Sequence, residues 1–296
     1  MLDKKQPIVI ALGYFDGVHK GHEKVIKSAT DFAKSINAKT VVFTFSENIR
    51  SLINGEEQKY VYSPLERKEV LLSLGADEVC FSPYGKTFLK KGKKAFLNWL
   101  NDRYNIKAYV CGKDYRFGKF AKGDVSCLEE YSIKHNQQLL TVETYLFEGK
   151  KLSTSQIKNY LSNGEIEKVN QLLLRGFFLK GKVFSDRKVG RTLGFPTANL
   201  LYDNQKQSLK NGVYSCEVEV DGKRYLGISN FGSRPTFELD KTLVEVHIID
   251  KEIKLYGKVI TVYFKSFIRD VIRFDTANEL KKQIQKDILR VKHAND

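Results

Sequence analysis

Two stretches of the chain hold residues whose types and spacing suit chemistry on phosphate. In GYFDGVHKGH, residues 13–22, three glycines, an aspartate and two histidines share ten positions. Imidazoles at His19 and His22, with Gly21 between them, can donate hydrogen bonds to phosphate oxygens as negative charge moves toward a leaving group. That is phosphoryl- or nucleotidyl-transfer chemistry, and it needs no covalent nucleophile. Neither GxGxxG nor GxxxxGKS/T occurs, so the dinucleotide fingerprint and the P-loop do not fit. In GRTLGFPTANL, residues 190–200, Pro196 fixes the backbone while Thr197 and Asn199 offer uncharged oxygen ligands two residues apart. A β-strand would put both on one face. Alone, each stretch also reads blandly, as surface histidines beside a turn and as an ordinary loop.

Such groups need ordered elements to aim them. The apolar run Ile8–Leu12 precedes the histidine turn, and apolar residues at 25, 26, 29, 32, 33 and 36 follow it at helical spacing. A glycine-rich turn between strand and helix lets phosphate approach backbone N–H groups at the helix N-terminus. Strand-like segments at 39–45, 77–82, 106–112 and 137–143 then alternate with helical ones, which predicts a parallel sheet covered by helices. Two more helices follow in 153–175, with Gly164 as a stop between them. From about residue 177 the pattern changes to period two. VYSCEVEV-DG-KRYLGIS is a hairpin signal, and TLVEVHIID and KVITVYF continue the alternation. Thr276-Ala-Asn-Glu279 resembles a capping box opening a last helix, with apolar residues at 277, 280, 284, 288 and 291. The fold class expected is α/β plus β, with domains at 1–174 and 175–296. The second is a predominantly antiparallel sheet or closed barrel ending in a helix.

Composition narrows the partners. The net charge is +15, from 27 Lys/Arg against 20 Asp/Glu in residues 1–174 and 23 against 15 in 175–296. An excess spread so evenly argues for a lysine-rich surface and phosphorylated substrates, and against nucleic acid. No run approaches the ~20 apolar residues of a membrane span, and the N-terminal apolar run is too short for a secretory signal. Cys80, Cys111, Cys127 and Cys216 form no CxxC pair and read as buried free thiols, which fits a cytoplasmic protein. An oligomer is compatible with all of this.

The histidine turn resembles the GxFDGxHxGH segment of the flavin-adenylylating nucleotidyltransferases, within the wider HxGH group. CGKDYRFG (111–118) is similar to that family's GxDFRFG, and LSTSQIK (152–158) lies where the family has ISSTxIR. GRTLGFPTANL resembles the PTAN segment of riboflavin kinases, and GVYSCEV, NFGSRPTF, VEVHIID, LYGK and FIRDVIRF match that family in order. Together the motifs run from residue 8 to the terminal helix, in the order of the bifunctional bacterial riboflavin kinase/FMN adenylyltransferases.

The resemblance implies a Rossmann-like nucleotidyltransferase domain and a β-barrel riboflavin kinase domain. It implies that riboflavin and ATP give FMN, and that FMN and ATP then give FAD and pyrophosphate, with Mg²⁺ at both sites. Glu245 becomes the catalytic base of phosphorylation, and His19 and His22 serve adenylyl transfer. ATP or phosphate contacts fall on Gly13, Phe15, Asp16, Gly21, Ser153, Thr154, Ser155 and Lys158 in the first domain. In the second they fall on Gly181, Lys182, Gly190, Arg191, Thr197 and Asn199, the last two also as metal ligands. Flavin contacts fall on Asp114, Phe117, Asn230 and Arg269; His247 is taken as structural. Lys158 stands where the family has arginine, and TFSENIR (44–50) lacks its proline-containing pattern. Two alternatives stay open. One is a riboflavin kinase with a weak or inactive adenylyltransferase half, and the other an HxGH nucleotidyltransferase with another phosphorylated acceptor.

Overall fold

A computed structural model describes residues 4–46, 59–83, 86–184, 189–234 and 241–294. Residues 47–50 of TFSENIR, residues 235–237 of NFGSRPTF and the Arg191 side chain lie outside the described residues. The chain divides into two compact units, Met1–Thr154 and Ser155–Asp296.

In the first unit, β1 (Pro7–Leu12), β2 (Lys39–Thr44), β3 (Glu78–Phe81), β4 (Asn105–Gly112) and β5 (Gln138–Val142) form a parallel sheet in the order β3-β2-β1-β4-β5. Strand β1 is central and buried on both faces, which is why it reads as an unbroken apolar run. The chain winds outward from β1 to β3 on one side and then to β4 and β5 on the other. The order therefore reverses between β1 and β4, and open parallel sheets bind ligands beyond the carboxyl ends of such strands. Helix α1 (Lys20–Ser35) buries Val25, Ile26, Ala29 and Ala33 from its apolar stripe, each large residue contributing roughly 1.5–3 kcal/mol. Ile36 lies at the C-cap and is exposed, so the stripe ends one residue early. Helix α2 (Pro64–Ser73) starts at a Ser63–Glu66 capping box with proline in its first turn. Helices α3 (Lys93–Arg103) and α4 (Val125–Lys134) pack Phe96, Leu100 and Leu128 into a core with Ile10, Phe43 and Tyr109. A short hairpin, β6 (Leu146–Phe147) with β7 (Lys150–Lys151), was not expected from the sequence.

Helices α5 (Thr154–Asn163) and α6 (Ile166–Leu172) follow, separated by Gly164 at φ +78°. The sequence expectation places both with the first domain, but compactness groups nearly all of this stretch with the second unit. Helix α6 buries Ile166, Val169 and Leu172, and Asn170 supplies the polar link. Its Nδ2 donates to Phe264 O at 2.7 Å and its Oδ1 accepts from Phe177 N at 2.8 Å.

The second unit is a six-stranded antiparallel sheet: β8 (Phe178–Lys182), β9 (Ala198–Leu201), β10 (Gly212–Val220), β11 (Lys223–Arg234), β12 (Lys241–Ile248) and β13 (Val259–Arg269). Their spatial order is β8-β13-β10-β11-β12-β9, and a Phe184–Asn199 bridge draws the edges together into a nearly closed barrel. Asp221 and Gly222 have φ of 50° and 73°, as the tight hairpin between β10 and β11 requires. Val244, Val246 and Ile248 fill the barrel interior, so Glu245 and His247 face outward. Helix α7 (Ala277–His293) opens with the Thr276–Glu279 capping box and buries Val291 against Val213, Ile228 and Ile268. Cys111 and Cys216 are buried free thiols, whereas Cys80 and Cys127 are half-exposed.

Candidate active sites

The first site lies beyond the carboxyl ends of β1 and β4, in a cavity of about 260 Å³. Gly13, Phe15, His19, Gly21, His22, Asp114, Ser153 and Thr154 line it, so eight of the expected residues converge. Bulk is excluded at Gly13, where a Cβ would come within 2.6 Å of the Phe15 ring. The turn is strained as well as tight. Phe15 and Val18 hold φ of 53° and 40°, a region disfavoured most for a β-branched residue. Asp16 is buried beneath, its Oδ1 accepting from Val61 N at 2.9 Å and its carbonyl accepting from Thr154 Oγ1 at 3.1 Å. The second bond ties the hydroxyl-bearing start of α5 to the histidine turn.

His19 is the N-cap of α1. Its Nδ1 accepts from Gly21 N at 3.2 Å and His22 N at 3.4 Å. Backbone N–H groups can only donate, so the ring proton sits on Nε2. The His22 ring stacks on it at 3.6 Å. Burial pushes the His19 pKa down from 6.5 to about 4. Burial also holds His22 well below its usual value, helped by the neighbouring His19 and Arg67 charges. Both rings are therefore neutral at pH 7 and supply N–H donors, not charge. Nδ1 of His22 is buried with no hydrogen-bond partner among the described residues.

No motif or spacing in the sequence singles out Arg67. It is 1% exposed, donates to the Tyr14 carbonyl at 2.9 Å and to the Phe45 carbonyl, and lies 5.0 Å from the Tyr14 ring. It clamps the ends of β1 and β2 and places a permanent cation behind the histidines. Lys151, paired with Asp114, is a second unforeseen cation in the lining.

The second site occupies the outer face of the barrel. Strand register sets Asn199 opposite Glu245, Glu245 opposite Asn230, Asn230 opposite Val213, and Val213 opposite Arg269. Four expected site residues thus form one row across five strands. Glu245, Asn230 and Arg269 face a cavity of about 510 Å³ also lined by Gly190, Thr197, Val271, Ile272, Leu280 and Ile284, whereas Asn199 is buried outside that lining. Strand β9 begins at Ala198, so Thr197 lies just before the strand and Asn199 within it. A Cβ at Gly190 would stand 2.4 Å from Phe195 O, so only glycine fits that turn. Arg269 is tied by Nε and Nη2 to Asp287 of α7 at 2.9 and 2.7 Å, joining barrel to helix. Asn199 Oδ1 is buried without a hydrogen-bond partner among the described residues. Among the described residues no cluster of three His, Cys, Asp or Glu could hold a metal. An amide oxygen without a partner among the described residues, two positions from a threonine hydroxyl, is the kind of donor set that suits a hard cation shared with phosphate oxygens, as Mg²⁺ usually is.

Other expected residues lie apart from these cavities. Phe117 is buried in the core of the first unit, stacked on Tyr115 at 5.7 Å. Gly181 and Lys182 lie on β8, where Gly181 packs against Leu200 and Lys182 is exposed. Ser155 and Lys158 continue α5 into the second unit.

Residues 2–156 match the family model for FAD synthetase, and residues 173–295 match that for riboflavin kinase. A Bacillus subtilis (strain 168) protein named bifunctional riboflavin kinase/FMN adenylyltransferase is 34% identical over 94% of this chain and 90% of its own length. The Escherichia coli (strain K12) protein of that name is 30% identical over 95% of this chain and 90% of its own. The crystal structure of a macrolide-efflux protein from Streptococcus pneumoniae superposes with a TM-score of 0.89. It is 28% identical and covers 98% of this chain and 95% of its own. Among the described residues no helix is long and apolar enough to cross a membrane.

Proposed function

The chain belongs to the bifunctional riboflavin kinase/FMN adenylyltransferase family, and on that premise we propose that it makes FMN from riboflavin and ATP at the barrel. It then makes FAD and pyrophosphate from FMN and a second ATP at the parallel sheet. The observation that carries this reading is the cross-strand row in which Glu245, Asn230 and Arg269 face one largely apolar cavity, with Asn199 paired to Glu245 at the end of the row. The apolar wall of Val271, Ile272, Leu280 and Ile284 takes the flavin ring, and the row takes its polar chain.

A ribityl hydroxyl is a poor nucleophile at neutral pH. Glu245, half-buried on β12, accepts its proton as the γ-phosphoryl group moves. Thr197 and Asn199 would hold magnesium, which when bound offsets charge on the polyphosphate. The second reaction asks for different help. The FMN phosphate is already anionic, so its oxygen attacks the α-phosphorus of ATP without a base. His19 Nε2–H and the His22 ring donate to oxygens that gain charge as pyrophosphate leaves, while Arg67 adds a fixed positive field behind them. Neutral donors suit this task because they hold geometry without binding the ground-state triphosphate as tightly as cations would. The free cysteines and the lack of a membrane-crossing helix among the described residues support a cytoplasmic setting.

Purified chain incubated with riboflavin, ATP and Mg²⁺ should yield FMN first and FAD after it, separated by chromatography over time. FMN without FAD would confine activity to the barrel, and neither product would refute the assignment.

A further inference from the structure

We propose that His247 is a positioning residue of the barrel site, holding the Phe195–Pro196–Thr197 turn in place against the strand that carries Glu245. The proposal rests on the phosphoryl-transfer reading above. The ladder between β9 and β12 pairs Glu245 with Asn199 and Val246 with Ala198. One step further His247 would face Thr197, but β9 has ended there. Pro196 has no N–H, so the backbone cannot carry the ladder on. The His247 side chain reaches across in its stead, with Nδ1 2.9 Å from the Pro196 carbonyl oxygen. A carbonyl only accepts, so Nδ1 carries the proton.

The same imidazole meets the Phe195 ring edge-on, centroids 5.6 Å apart at 84°. From the other side, Phe195 N–H closes the turn onto Gly190 O at 2.8 Å. The turn is thus gripped twice, by glycine backbone behind it and by His247 in front. Strand β12 then holds both ends of the ligand segment: Asn199 through the ladder and Pro196 through this side chain. The consequence is a set spacing between the Glu245 carboxylate and the oxygens of Thr197 and Asn199. His247 also lines the cavity, so a direct role as a flavin-contacting wall is the reading to separate from it.

The test compares His247→Ala, His247→Phe and His247→Asn in the full chain. Phenylalanine keeps the ring and the Phe195 contact without the donor. Asparagine places an amide N–H near the position of Nδ1–H and can restore the bond. For the first two, kcat for FMN formation should fall by ~10–100-fold, the loss common when a residue that orients a ligand group is removed. The Mg²⁺–ATP concentration for half-maximal rate should rise, while the riboflavin KM stays within about threefold. Asparagine should recover kcat to within roughly fivefold of the parent. FAD formation from supplied FMN should be unchanged in all three. An undiminished kcat in His247→Ala, a rise in riboflavin KM alone, or an asparagine variant as poor as phenylalanine would overturn the positioning role. A parent chain that forms no FMN would overturn the reading beneath it.

Discussion

His19 combines two duties, capping α1 and donating toward substrate, and the combination makes the first unit sensitive to acid. The ring is 6% exposed, and burial pushes its pKa from 6.5 to about 4. Above pH 6.5 neither the folded nor the unfolded chain protonates it. As pH falls below 6.5 the unfolded chain takes a proton that the folded one refuses, so stability present at neutral pH is lost toward pH 4. At about 1.4 kcal/mol per pH unit the loss reaches about 3 kcal/mol at pH 4, and about 2 kcal/mol by pH 5. His19→Asn removes the titration but keeps an acceptor for the Gly21 and His22 N–H groups, and asparagine is a good N-cap. Trp99, the single tryptophan, packs on Phe88 at 4.9 Å in the first unit, so its fluorescence follows that unit in urea. Between pH 7.5 and pH 5 the parent should lose about 2 kcal/mol more than His19→Asn. Carboxylates titrate in both chains and cancel in the difference. FAD formation from FMN should fall ~10²–10³-fold in the variant, with FMN formation intact. Identical pH dependence in the two chains would refute the linkage argument.

Glu245→Gln should lower FMN formation by roughly 10²–10⁴-fold while FAD still forms from supplied FMN, both measured by product separation. Arg67→Met strips the Tyr14 and Phe45 carbonyls of a buried donor and should cost the first unit about 2–4 kcal/mol by Trp99 fluorescence. Arg67→Lys, which keeps charge without the fork, should recover part of that loss. A 155–296 fragment should fold and phosphorylate riboflavin. A 175–296 fragment lacks Asn170 and its bonds to Phe177 and Phe264, and should be less stable by about 2–4 kcal/mol in urea.

Local signals were the legible ones. The histidine turn, the Asp221-Gly222 hairpin and the Thr276 capping box each follow from a few adjacent residues, and each takes the expected form. Relations between distant segments were not legible. Arg67 matters because α2 carries it under Tyr14 and Phe45, and nothing in PLERKEV distinguishes it from its exposed neighbour Lys68. Glu245 and Asn230 could be nominated singly, but their meeting in one row depends on register across β11 and β12. Phe117 was expected to contact flavin, but its ring packs against Phe96 and Tyr115 in the core, a relation between distant segments that the local motif does not carry. Helix α6 carries an apolar stripe that could have covered either half, and only its packing beside β13 assigns it.

The terminal helix has one further consequence for this barrel. Ala277, Leu280 and Ile284 line the cavity, and Val271 and Ile272 on the approach are about half-exposed. The firm anchor of the helix lies further on, at Asp287 and Val291. An apolar ring filling the cavity therefore acts as a missing core side chain of the protein. Occupancy and helix docking are linked reciprocally: whatever fills the space tightens the helix, and whatever frays the helix loosens its guest.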